Sequence, residues 1–506
     1  MRRLAVAILL ATSASAAAQQ AEVPRQRAVD SIPLALSALV ATALRNNVDL
    51  RVAELGPRLA GSELLLARSG FDPYLSLNSL RGTQANDVLG IGSRATQTSD
   101  ANTATLGTLL PHGSQLAFSL RNSSVSSSPF AETASLPFPT SHASSMSVSF
   151  IQPLLRGLGR TGTYGLVDAA GASVDASRLR FERASDLVVA QVEHAYWVLR
   201  QAESAERVLQ KSVEASRAIF ERNVALQARD VATTLDVLTA ERGLATRQTQ
   251  LWESTRQRVD AAERLLFLAL GEEARDNALL DAPRMHTIPD SVVVPVVPTL
   301  GEAEAAALTQ RADAAAAGRD VEASRRRAGQ ARSQRLPKLD LIASYGYGGI
   351  APTSRFLSFA DSADLRSSSW TLGFNASFFQ RNDAAAANDQ RAETGLEAAR
   401  LSQVASLNAV RGEVSAALRA WQTGRDRYLR AGDVGRLAER EYAAAREGAR
   451  LGLVTTFQLL QYEEQLAQAR LLVAQARFAL EDAGTQYRLA VGESRRGYPA
   501  PSRQVR

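Results

Sequence analysis

The chain has 506 residues, 45% of them hydrophobic but only 6% aromatic, with no cysteine and a formal net charge of +6. The missing cysteine excludes disulfides and an N-terminal lipid on Cys. The basic surplus does not read as a nucleic-acid patch, because Arg alternates with Asp and Glu along helical stretches; the run Arg325-Arg326-Arg327 reads as a solvated helix face. Beyond the N-terminus no run of about 18 apolar residues occurs, so a membrane crossing would have to use strands.

Arg2-Arg3, the apolar run Leu4 to Ala11, and the small residues Ala14-Ser15-Ala16 make residues 1–18 a secretory signal peptide, the mature chain beginning near Ala17 or Gln19. From about Ser31 to Ser69 the pattern is helical, with Leu34, Leu36, Leu39, Ala43 and Leu44 on one face and a break or kink expected at Pro57. At Pro73 the period drops to two. Strands are predicted at about 74–81, 102–110, 114–121 and 144–152, the middle two joined by Pro111-His112-Gly113. The Ser-, Gly- and Asn-rich segments near 83–101 and 122–142 read as long polar loops. From about Leu166 to Gln227 there is no proline, enough for a helix of roughly 90 Å at ~1.5 Å per residue. A break at 228–232 and a returning helix to Leu270 close a first structural repeat, residues 19–271, with its long helical hairpin at about 166–270.

Residues 272–300 carry Pro283, Pro289, Pro295 and Pro298 and read as a linker. A second structural repeat, 301–492, then replays the first: a helix, strands within about 339–378, and a helical hairpin at about 384–490 that breaks at 451–454. Residues 493–506 read as a disordered tail. Ala43-Leu44, Asp49, Ala67-Arg68-Ser69 and Pro73 recur 264 positions on as Ala307-Leu308, Asp313, Ala331-Arg332-Ser333 and Pro337. Thr233, Thr234, Leu238 and Glu241 recur 222 positions on as Thr455, Thr456, Leu460 and Glu463. The difference of 42 residues falls between the first strand and the long helix, so the first half carries one extra hairpin and the chain six candidate strands. Two heptad columns follow the first Thr pair, one through Val237, Leu244, Leu251, Arg258 and Leu265, the other through Leu238, Ala245, Trp252, Val259 and Leu266. Leu459, Leu466, Val473, Leu480 and Tyr487 form the column after the second, and a period of seven marks helices coiled on neighbours.

No nucleophile, base and orienting group stand at a recognisable spacing, so the chain does not read as an enzyme. His112, His142, His194 and His286 are scattered, without metal-ligand spacing, and no cofactor motif is present. Gly346-Tyr347-Gly348-Gly349 reads as a strand end rather than a phosphate loop. Tyr196 and Trp197 read as helix packing, Glu463 and Glu464 as solvated helix carboxylates.

The tandem plan, Ala43-Leu44-Arg45-Asn46-Asn47-Val48-Asp49-Leu50, the Ala-Arg-Ser then Pro-x-Leu-x-Leu entry to each strand region, Gln152-Pro153-Leu154-Leu155-Arg156-Gly157 and Ala195-Tyr196-Trp197 together resemble the TolC family of outer-membrane efflux proteins. The resemblance implies an α+β membrane protein: a homotrimer whose 12-strand transmembrane β-barrel continues as a long periplasmic α-helical coiled-coil barrel, each chain a tandem internal repeat. It implies the passive outer-membrane channel of a tripartite efflux or type I secretion system, located in the outer membrane with its tunnel in the periplasm. The implied partners are a periplasmic adaptor and an inner-membrane pump or transporter. On the family's pattern the adaptor-contacting tips fall at Leu451-Gly452-Leu453 and Arg229-Asp230-Val231, and the periplasmic aperture at Asp236, Gln458 and Gln461, with only Asp236 acidic. Opening would loosen helix contacts near Gly452 and Gln458. The extra hairpin either widens the barrel or folds as an external loop. The rival reading is a soluble periplasmic coiled-coil scaffold or adaptor.

Overall fold

A computed structural model describes residues 35–87, 94–128, 140–271, 298–351, 354–364, 367–496 and 498. The signal peptide, most of the proline-rich linker and the end of the tail lie outside the described residues.

The N-terminal helical region forms α1 (Leu36–Asn46) and α2 (Val48–Ser69). The break falls at Asn47 and not at Pro57. Asn47 adopts an extended ψ of 126°, and its side chain accepts from Leu50 N–H at 3.0 Å, capping α2. Pro57 stays inside α2, which runs on past it to Ser69.

Among the described residues six strands follow one another in space as they do in sequence: β1 (Tyr74–Asp87), β2 (Arg94–Leu109), β3 (Gln115–Ser128), β4 (Thr140–Pro153), β5 (Lys338–Ala351) and β6 (Ser368–Ser377). Every neighbour pair is antiparallel. Of the segments expected as loops, residues 83–87, 94–101, 122–128 and 140–142 are strand, and 88–93 and 129–139 lie outside the described residues. The Thr and Asn side chains of these strand segments bond across the ladder, as in Thr83 with Thr98 at 3.3 Å and Asn122 to Ser144 at 2.7 Å, so polar composition did not mean loop.

The helical part consists of α3 (Gly159–Thr163), α4 (Gly165–Gln227), α5 (Thr234–Leu270), α6 (Leu300–Gln310), α7 (Ala312–Gln334), α9 (Asp383–Arg450) and α10 (Thr456–Val491), with α8 (Arg355–Ala363) placed between β5 and β6. At 63 and 68 residues, α4 and α9 are each about 95–100 Å long. No globular core encloses such lengths, so each is covered piecewise: α4 by α2, α7, α5 and α10, and α9 by α7, α6 and α10.

Two apolar clusters hold the middle of the rod. One joins Leu39 and Ala43 of α1 to Val188 and Val192 of α4 and Ala269 of α5. The other joins Ala303 and Ala307 of α6 to Val410 and Val414 of α9 and Val491 of α10. Each residue of the second set stands 264 or 222 positions after its counterpart, the two spacings seen in the sequence. The α6–α7 break at Arg311 likewise stands 264 positions after Asn47. Arg311 is buried there, donating from Nε and Nη2 to Asp313 (3.0 and 2.6 Å) and from Nη1 to Glu413 (2.5 Å).

Two further expectations change. On α5 the predicted columns are buried at Leu265 and Leu266, but toward the tip the buried seam is Ala240, Arg247 and Ser254, three residues on from the first column, while Leu238 and Trp252 of the second are exposed, Trp252 by 79%. A single chain therefore leaves one side of its coil without a neighbour. Residues 493–496 and 498, expected to be disordered, pack back on α4: Arg495 Nε donates to Asp186 at 2.6 Å and the Tyr498 hydroxyl to Glu193 at 2.7 Å.

Candidate functional site

The two ends of the molecule have different chemistry. At the far end of the helices, α4 turns into α5 and α9 into α10 through the same backbone device. Asp230 takes a positive φ of 52°, its N–H bonding to Gln227 O (2.9 Å) and that of Val231 to Leu226 O (3.0 Å). Gly452 takes a φ of 74°, its N–H bonding to Ala449 O (3.4 Å) and that of Leu453 to Gly448 O (2.9 Å). Both are helix-ending turns closed by a left-handed residue, a conformation free to glycine and strained for other L residues.

Each turn is followed by a capping box. Thr233 Oγ1 accepts from Asp236 N–H (3.2 Å) while Asp236 Oδ2 accepts from Thr233 N–H (3.1 Å); Thr455 and Gln458 repeat this at 3.2 and 3.0 Å. The Thr233 hydrogen bonds hold the Asp236 carboxyl below its usual range. Of the residues singled out in the sequence, then, Leu451, Gly452, Leu453, Arg229, Asp230 and Val231 form two exposed turns, while Asp236 and Gln458 are caps just inside them. Gln461 is exposed one turn further along α10.

The hairpins are tied together next to these turns. Thr456 Oγ1 donates to Asn223 Oδ1 at 2.9 Å and Arg222 to Ala449 O at 2.5 Å. Two turns up α10, Glu463 is 3% exposed, contrary to the solvated carboxylate expected. It accepts from Ser212 of α4 (2.5 Å) and from Arg247 Nε of α5 (3.3 Å), and burial pushes its carboxyl up despite these partners. The sequence carried one hint of this link, since Arg247 continues the Ala240 seam by seven residues. Tyr196 and Trp197 pack as expected, edge to face at 5.1 Å, with Trp197 Nε1 donating to Thr485 at 3.3 Å.

At the other end, strand register sorts the sheet into two faces. One carries Leu77, Ala104, Leu120, Met146, Tyr345 and Leu372 with their alternate neighbours; the other carries Ser76, Thr105, Ser119, Ser147, Ser344 and Thr371. On the first face Leu75, Leu77, Trp370, Leu372 and Phe374 are all exposed. This is the polarity of a sheet with lipid on one side and water on the other.

The sequence of residues 39–272 matches the outer membrane efflux protein family. No protein of curated function matches the chain by sequence. Among solved structures it is similar to the outer-membrane channel OprN, at 19% identity and a TM-score of 0.65 over 90% of each chain. It is similar also to the Campylobacter jejuni CmeC outer membrane channel (17% identity, TM-score 0.61, covering 91% of this chain and 86% of that one). A third is the open state of the Neisseria gonorrhoeae MtrE outer membrane channel, at 16% identity and a TM-score of 0.60, covering 91% and 89%. At these identities the structural likeness shows the fold, and the family match covers the first half. Residues 39–272 thus carry the sequence signature of the outer membrane efflux protein family, and the chain as a whole has the fold of the outer-membrane channels it resembles.

Proposed function

We propose that three copies of this chain form the passive exit duct of a tripartite export machine, its sheets closing a β-barrel in the outer membrane and its helices a tunnel through the periplasm. The observation that carries this is the sheet: apolar on one face, small and polar on the other, and open at β1 and β6. Open edges are not tolerated in lipid, so β6 of one copy pairs with β1 of the next. Along β5 the apolar face runs from Leu339 to Tyr347, about 26 Å of strand and about 20 Å of membrane at a tilt of ~40°. The uncovered Trp252, Leu238 and Leu437 give the helices of neighbouring copies something to pack on.

Three chains of six strands make 18, rather than the 12 that the family resemblance implies. In this reading the extra hairpin joins the wall, because β2, β3 and β4 are in register with β1 and β5. At ~4.8 Å between strands the wall radius rises from about 12 Å to about 18 Å. The shared offsets of 264 and 222 residues support a duplication, with domains at 19–271 and 301–492 and 272–300 as linker. The turns at Arg229-Asp230-Val231 and Leu451-Gly452-Leu453 face a periplasmic adaptor, which connects to an inner-membrane pump; Asp236, Gln458 and Gln461 ring the aperture just inside.

Fractionation tests the reading. The protein should stay with outer membranes through salt and alkaline washes, leave them only in detergent, and then have the mass of three chains. Release as a water-soluble species would favour the scaffold alternative.

A further inference from the structure

The connection between β5 and β6 holds the short helix α8 flat across the outer end of the sheet, over β5, β4 and the rim of β3. It lies on the apolar face, just beyond the apolar band, where the register brings Asp100, Ser124, Ser144 and Gly349 to the surface. Arg355 Nη2 donates to Asp100 Oδ2 (2.7 Å) and Ser124 Oγ (2.8 Å), and Ser358 Oγ shares a hydrogen bond with Ser144 Oγ (2.8 Å). The helix backbone rests on Gly349, where any Cβ would collide with Ser358 O and Ser362 N.

The polarity of α8 is inverted. Ser358 and Ser362, one turn apart, are buried against the sheet, while Phe356, Leu357 and Phe359 are 76%, 49% and 45% exposed. A helix facing water does the reverse, turning its apolar stripe to the protein. Beneath Phe359 a cleft of about 350 Å³ opens onto Leu77, Ala104 and Leu120 of the apolar band. Tyr347 stands in the same ladder row as Leu77, Ala104 and Leu120, and the pair Tyr345 and Trp370 one alternate row nearer the helices, where a membrane barrel carries its aromatic girdle.

We propose that α8 is an interfacial helix seated in the outer leaflet, with Phe356, Leu357 and Phe359 among lipid acyl chains and the cleft under Phe359 receiving one of them. This rests on the reading of the sheet as a membrane-spanning wall. At the β6 edge a second copy does not reach α8, which leans from β5 toward β4 and β3; at the β1 edge, whose Leu77 lines the cleft, the crosslinking below separates a second copy from lipid. The helix caps the lipid-facing band where the wall leaves the membrane, and its serine and arginine bonds fasten three adjacent strands there.

The absence of cysteine makes the test direct. Single substitutions Phe356→Cys, Phe359→Cys, Leu372→Cys and Ser76→Cys are labelled with an environment-sensitive fluorophore in proteoliposomes containing lipids brominated on their acyl chains. Quenching at 356 and 359 equal to that at 372, with none at 76, is the expected result. Quenching at 372 but not at 356 and 359 overturns the helix proposal and leaves the wall intact. Disulfide crosslinking between copies through position 356 overturns it too, making α8 a subunit contact. Equal quenching at 372 and 76, or none at either, brings down the membrane-wall reading itself.

Discussion

The buried link between Glu463 and Arg247 gives a quantitative test of how the two hairpins are held near their tips. Replacing Arg247 by Met strands a carboxyl that is 3% exposed with only the Ser212 hydroxyl as donor. Breaking a buried pair from one side costs about 3–5 kcal/mol. Here the loss has a ceiling, because the carboxyl can take up a proton: from an ordinary value of 4.5 this costs about 3.4 kcal/mol at pH 7. Replacing Glu463 by Leu is milder, about 2–3 kcal/mol. Arg247 keeps Gln250 at 2.9 Å and Glu464 at 3.5 Å. The double variant removes both charges from a closed seam and should come within about 1 kcal/mol of the wild type, or exceed it. The single effects together then exceed the double one by about 4 kcal/mol, which is the expected coupling. Hydrogen exchange across residues 459–470 of the solubilised protein reads it as local opening, each tenfold loss of protection being about 1.4 kcal/mol. Additive single effects, with coupling below ~0.5 kcal/mol, would refute the view that this pair ties α4, α5 and α10 together.

Further outcomes follow from the same geometry. Gly452→Ala forces a methyl group into a left-handed turn where no neighbouring atom interferes, so the loss is purely conformational, about 1 kcal/mol, read as faster exchange of the Leu453 amide; Asp230→Gly should be near neutral, as strain relief and chain entropy offset. Burial raises the folded-state carboxyl of Glu463 above its ordinary value, so the native state holds a proton that the unfolded chain releases, and stability from this group falls as pH rises from about 4.5 through the raised value. The thermal midpoint of wild type relative to Glu463→Gln should decline across that window and level off above it; a difference that grows with pH contradicts the sign. Leu372→Arg, on the apolar face of β6, should cost about 2–4 kcal/mol and reduce membrane assembly, whereas Thr371→Arg on the polar face should assemble normally.

The sequence made the order of elements readable, because two hydrophobic periods alternate cleanly and proline marks where each changes. The tip turns were readable too, Thr233 and Thr455 standing in register with their caps. What it concealed has physical reasons. Strand ends built from Ser, Thr and Asn look like loops until a partner strand satisfies them, as Thr98 does for Thr83. Pro57 has the local signature of a break, yet it lies inside α2, while the actual break at Asn47 depends on cap geometry. Glu463 looked solvated because carboxylates on helices commonly are; only the packing of three helices brings Ser212 and Arg247 to it. Trp252, placed by its period in the seam, is uncovered because its neighbour belongs to another copy in the trimer proposed above.

Electron microscopy of the detergent-purified mature protein tests the central claim most directly. The account predicts a threefold, hollow particle with a helical tunnel at least 95 Å long, ending in a barrel whose wall resolves into 18 strands. A monomeric or solid rod, or a particle that needs no detergent, would contradict it.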